Sequence, residues 1–111
     1  MAKIYYHKLV RDNIPEIMTS KGKAFEAQTM SDEQVYTQAL LEKLVEESKE
    51  AGQAQGKEEL IKELADLQEV ILAVEAQAQI TPEEVEAVRS KRFAERGGFA
   101  KKVFLVWGES D

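Results

Sequence analysis

The chain has 111 residues, with 15 Lys and Arg against 21 Asp and Glu, a net charge of −6. At roughly 100–200 residues per domain this length predicts one domain over 1–111, and 43% hydrophobic with 32% charged residues is too apolar for a disordered chain. No stretch approaches the ~20 apolar residues of a membrane span, and the absence of cysteine with a single histidine, His7, excludes disulfides and a Cys/His zinc site.

The amino-terminal MAKIYYHKLVRDNIPE has no apolar core of signal-peptide length, and the acidic balance argues against a nucleic-acid partner. These features predict a small cytoplasmic domain with neither nucleic acid nor membrane as partner. In chain order, Pro15 opens a short helix to about Ser20, which Lys21-Gly22 ends. Ala24–Met30 (AFEAQTM) alternates apolar and polar residues as a strand does. Ser31 as N-cap, Gln34 at N3 and a Met30–Val35 staple predict a helix from Asp32 to about Gly52. Gly52-Gln53-Ala54-Gln55-Gly56 breaks it, and a second long helix runs from Lys57 to about Ala78; so short a loop predicts an antiparallel hairpin. Thr81-Pro82-Glu83-Glu84 predicts a capping box and a last helix ending near Arg96, before Gly97-Gly98. The tail Lys102–Trp107 (KVFLVW) is β-branched and aromatic and is expected to pair with Ala24–Met30. The predicted class is all-α: a helical hairpin and shorter helices in a four-helix-type bundle, with this small two-stranded β element.

The chemistry lies in acids on the apolar faces. At 100° per residue, Tyr36, Leu40, Leu44 and Ala51 fall within about 80°, and Glu47 lies inside that stripe with Glu50 about 60° away. On the next helix Leu60, Leu64, Leu67, Val70, Ile71, Val74 and Ala78 span about 120°, with Glu63 inside and Asp66 about 60° to the side. Glu47-x-x-Glu50 and Glu63-x-x-Asp66 therefore stack two carboxylates each on facing helices. A single such pair is ordinary on a solvated face, and Lys43 or Lys62 could neutralise part of it. Two pairs inside apolar stripes repel one another unless a cation satisfies them. An all-oxygen set points to a hard ion, Mg²⁺ or else Mn²⁺. Four acids so placed are candidate metal ligands and catalytic residues.

Cations stand elsewhere in the chain. Arg89, Arg92 and Arg96 lie within about 60° on one helix face, followed by Gly97-Gly98, whose backbone N–H groups could approach a ligand. Lys8 and Arg11 are a second basic pair, while His7 beside them reads as a surface or packing residue. Arginine forks match phosphate oxygens, although cations at a helix carboxyl end also simply complement the dipole. Lys8, Arg11, Arg92, Arg96, Gly97 and Gly98 are thus candidate substrate-binding residues for a phosphorylated ligand. A second apolar line through Ile61, Ala65 and Leu72 cannot be covered by one hairpin and predicts a homodimer or larger oligomer.

YHKLVRDNIPEI, KLVEESKE, KELADLQEVI and KRFAERGGF, in this order over nearly the whole chain, resemble the MazG-like all-α nucleoside triphosphate pyrophosphohydrolases. Within them the chain is most similar to the small house-cleaning branch for noncanonical NTPs, related to phosphoribosyl-ATP pyrophosphohydrolase. The resemblance implies Mg²⁺-dependent hydrolysis between the α and β phosphates, to a monophosphate and pyrophosphate. It also implies that Glu47, Glu50, Glu63 and Asp66 are the E-x-x-E and E-x-x-D metal motif, and that the protein is a dimer or larger. Glu46, beside Glu47, is a secondary candidate for the general base. Lys62 departs from the acidic residue expected before ELAD, and no tyrosine–histidine pair of the phosphoribosyl-ATP kind follows it. Alternatives are a hydrolase of phosphoribosyl-ATP or another pyrophosphate-linked metabolite, and a helical dimer that senses a nucleotide without cleaving it.

Overall fold

Four helices account for the regular structure of the computed structural model, which describes residues 2–111: α1 (Ile14–Ser20), α2 (Glu33–Gly52), α3 (Gly56–Gln77) and α4 (Pro82–Arg96). The predicted all-α class holds, with each helix end within one residue of its expected place. No helix is long and apolar enough to cross a membrane, among the described residues. The chain divides into two units, residues 1–79 and Ile80–Asp111.

In the first unit α1 ends on a Schellman turn. Lys23 N donates to Met18 O and Gly22 N to Thr19 O, both at 3.0 Å, and Gly22 takes the positive φ of 69° that this turn requires. The start of α2 departs from expectation. Asp32, not Ser31, is the N-cap, and its Oδ1 accepts from Gln34 N (2.9 Å) and Val35 N (3.0 Å). A full negative charge at the positive end of a helix outcompetes a hydroxyl one residue earlier. The shift moves Gln34 to N2 and takes Met30 and Val35 out of staple register.

The link Gln53–Gln55 turns the chain back, and α3 packs on α2. Gln77, the last residue of α3, donates to Glu33 Oε2 at 2.7 Å at the very start of α2, so the pair is antiparallel as predicted. Among the apolar side chains of the hairpin only Leu40 and Val70 are buried. Leu60, Leu64 and Ile71, on the expected core face of α3, stay exposed, as do Ile61 and Leu72 on its second apolar line.

In the second unit the Thr81 capping box forms as read. Thr81 Oγ1 accepts from Glu84 N at 3.1 Å, and Glu84 Oε1 accepts from Thr81 N at 3.1 Å. Neither Ala24–Met30 nor Lys102–Trp107 forms a strand in the single chain. Alternation of apolar residues describes a half-buried surface, and a lone two-stranded element without a covering layer is marginal in water.

Candidate functional site

The acids converge. Glu47 and Glu50 from α2 and Glu63 from α3 each offer a carboxylate oxygen, and these oxygens all lie within 4.8 Å of one another. They do so because Glu47 and Glu63 sit in the facing stripes of an antiparallel pair, near the closed end of the hairpin. Glu47 is buried to 7% exposure, Glu63 is half-buried and Glu50 is exposed. Asp66 is not among the converging oxygens; its Oδ1 accepts from Arg11 Nη2 at 2.7 Å.

Cations border the cluster on one side. Lys8 Nζ donates to Glu46 Oε1 at 2.8 Å, and Lys43 Nζ lies 3.2 Å from Glu46 Oε2 and 3.5 Å from Glu47 Oε1. Lys43 is thus part of the neutralisation anticipated from the sequence; Lys62 forms no ion pair among the described residues. The Lys8 bond, with Lys43 behind it, holds the Glu46 carboxyl below its ordinary 4.5, and the same bond raises the Lys8 ammonium. Glu47 moves the other way. Burial pushes its carboxyl above 4.5, the Glu50 carboxylate adds to the rise, and Lys43 offsets only part of it.

Two oxygens define the chemistry the cluster calls for. Glu47 Oε2 and Glu63 Oε2 are buried and have no hydrogen-bond partner. An unpaired buried carboxylate oxygen costs several kcal/mol unless something positive meets it. One orphan on each facing helix, within a set of oxygens close enough to share one ion, fits a hard divalent cation with oxygen ligands.

The residues expected to bind substrate divide between the units. Lys8 and Arg11 stand at the acids, in the first unit. Arg92, Arg96, Gly97 and Gly98 belong to the second. Arg92 and Arg96 are exposed, one turn apart on α4, and have no ion pair among the described residues, whereas Arg89 is bound to Glu86 at 2.8 and 2.7 Å. At the end of α4 the Gly97 N–H donates to Phe93 O at 2.7 Å, and its φ of 81° makes it the helix stop. At Gly98 a Cβ would sit 3.0 Å from the Phe93 ring, a tight contact that the exposed ring would have to ease by a small shift.

Glu75 escaped the sequence reading. It is buried at 8% exposure on α3, and its position about 40° from Ile71 on the helical wheel was the available signal.

A sequence model of the phosphoribosyl-ATP pyrophosphohydrolase family matches residues 5–92, most of the chain. The protein belongs to that family. This agrees with the MazG-like all-α superfamily anticipated from the motifs, and the match contains both helices of the acid cluster and the Lys8–Arg11 segment. No curated protein and no solved structure matches the chain significantly. As a family member the protein is a pyrophosphohydrolase by class.

Proposed function

We propose that this family member hydrolyses a nucleoside triphosphate between the α and β phosphates in a Mg²⁺-dependent reaction. The observation that carries the reading is the pair of orphaned buried oxygens on Glu47 and Glu63 within the converging acids. Glu47, Glu50 and Glu63, with Asp66 beside them, would hold Mg²⁺, or Mn²⁺ in its place. When bound, the ion supplies Lewis-acid polarisation of phosphate oxygens and lowers the pKa of an attacking water.

The chain's own residues do the rest. Lys8 and Arg11 bring positive charge to the border of the cluster, where phosphate oxygens outside the ion's reach need donors. Arg92 and Arg96, exposed on α4 of the second unit, are two further guanidinium forks of the kind that matches phosphate oxygens. Glu46, the secondary candidate for the base, suits that role poorly. Its charge is committed to Lys8 and Lys43, and a carboxyl held below its ordinary value is a weak proton acceptor.

Oligomerisation belongs to the same proposal. Ile61 and Leu72 are 58% and 50% exposed on the second apolar line of α3, and a second hairpin laid over them would form a four-helix bundle. The protein works in this reading as a homodimer or larger, in the cytoplasm, with a nucleotide as its small-molecule partner.

The family match favours a second substrate, phosphoribosyl-ATP, in which an ATP keeps its triphosphate chain on the ribose and carries a phosphoribosyl group besides. Pyrophosphate release from standard and modified NTPs and from phosphoribosyl-ATP, with Mg²⁺ or with EDTA, tests both. Turnover of an NTP supports the first reading, and turnover of phosphoribosyl-ATP alone replaces it by the second. Nucleotide binding with no turnover of any compound makes the protein a sensor and overturns both.

A further inference from the structure

Asp66 occupies the position that would complete a set of four acids, one helical turn after Glu63, yet its carboxylate is turned to Arg11 at 2.7 Å. Arg11 in turn has the chemistry of a phosphate ligand, yet its Nη2 donates to Asp66 Oδ1. That one contact ties each residue to the other rather than to the ligand its position suits. We infer that Arg11 is an exchangeable counter-cation: it occupies Asp66 while the cluster lacks a divalent ion, leaves when the cluster is filled, and then takes a substrate phosphate. This rests on the metal site proposed above and adds an order to it, ion before nucleotide.

Three features allow the exchange. The ion pair is solvated, with side chains 56% and 32% exposed for Arg11 and Asp66, and pairs of that kind are weak. Arg11 lies outside any helix, in the stretch before α1, and its carbonyl accepts from Ile14 N at 3.0 Å. The side chain can therefore swing while the backbone stays anchored. Finally, Arg11 does nothing for the orphaned oxygens of Glu47 and Glu63, so the cluster still requires a cation with Arg11 in place. Once such a cation is shared by the acids, Asp66 gains a doubly charged partner and the guanidinium is displaced toward the incoming phosphates.

Trypsin reads the exchange directly, because cleavage after Arg11 requires its guanidinium to enter the protease's own acidic pocket. Cleavage after Lys23, which is exposed and forms no ion pair among the described residues, provides the internal reference. The whole protein is digested in EDTA and in saturating Mg²⁺, and Mg²⁺ binding is followed by calorimetry without nucleotide. The ratio of cleavage at Arg11 to cleavage at Lys23 should rise about two- to fivefold on adding Mg²⁺, and Asp66→Asn should show the high ratio already in EDTA. Arg11→Ala should bind Mg²⁺ about two- to fivefold tighter than the wild type. An unchanged or lower ratio in a wild type that binds Mg²⁺ overturns the exchange and leaves Arg11 as a fixed partner of Asp66, with the metal site intact. Absence of saturable Mg²⁺ binding in the wild type overturns the metal site itself, and the exchange with it.

Discussion

The α2–α3 hairpin and the α4 segment use charge in opposite ways. In the hairpin Glu47 is buried, its carboxyl is pushed above the ordinary value and one of its oxygens has no partner. On α4 no residue is buried, and Glu86, bonded to Arg89 and Ser90, is held down at about 2. The acid of α4 is satisfied by its own helix within one turn, whereas Lys43 reaches only one oxygen of Glu47, and Glu47 Oε2 and Glu63 Oε2 are left without a partner. Surface ion pairs of the α4 kind tune solubility and helix ends. Acids left unsatisfied in a packed stripe mark a place where stability is given up for binding.

The largest effect expected from this contrast is on catalysis. Glu63→Gln keeps the shape of the hairpin and removes one ligand charge, and pyrophosphate release should fall by roughly 10²–10³-fold. Glu86→Gln, a change on α4 that disturbs only a local pair, should leave it within about twofold. Equal losses in steady-state assays of the two variants would erase the distinction between the regions.

Next come the arginines of α4. Arg92→Ala and Arg96→Ala should each weaken nucleotide binding by about 1.5–3 kcal/mol, roughly ten- to a hundredfold, while sparing Mg²⁺ binding. Calorimetry with a nucleotide analogue checks both. Unchanged nucleotide affinity would make these residues cations that complement the helix dipole and nothing more.

The cap of α4 gives a smaller, local effect. Thr81→Ala removes the hydroxyl that accepts from Glu84 N, at a cost of about 1 kcal/mol to that helix end. Circular dichroism should record a modest loss of helix, with Mg²⁺ affinity unaltered because the acids stand on other helices. A changed Mg²⁺ affinity would show that the two units are coupled.

These contrasts also explain what could be read before the structure. Thr81, Pro82 and Glu84 act through neighbours in the chain, so their box was legible from spacing alone. Glu47 and Glu63 were legible because a helical wheel places them among Leu40, Leu44, Val70 and Val74, whatever the fold around them. Asp32 was missed as the cap of α2 because Ser31 and Asp32 both suit the position, and the choice between them depends on backbone angles. The Arg11–Asp66 bond spans 55 positions in sequence, and no local pattern encodes it. Pairing of Ala24–Met30 with Lys102–Trp107 is a long-range property, and alternation within either segment does not specify a partner.

The pH dependence of the metal-free protein isolates Glu47. Because its folded carboxyl lies above 4.5, its contribution to stability is fully present below 4.5 and is lost as pH climbs through the raised value. Glu46 acts in the reverse sense: its contribution is present above 4.5 and is lost as pH falls through its lowered value. In EDTA the advantage of Glu47→Gln over the wild type should therefore grow as pH rises from 4.5 toward neutrality. Denaturant melts across that window check the slope, and an advantage independent of pH would contradict the assignment.

The central claim, that the hairpin acids are a cation site and not a solvated face, is tested most directly by thermal melts of the wild type and Glu47→Gln at pH 7. In EDTA the variant should be the more stable by about 0.5–2 kcal/mol, because a buried charge that Lys43 offsets only in part, and that Glu50 repels, has been removed. In Mg²⁺ at a hundredfold excess over Kd the wild type should gain about 2.7 kcal/mol and the variant much less, so that their order reverses. The same order under both conditions would contradict the claim.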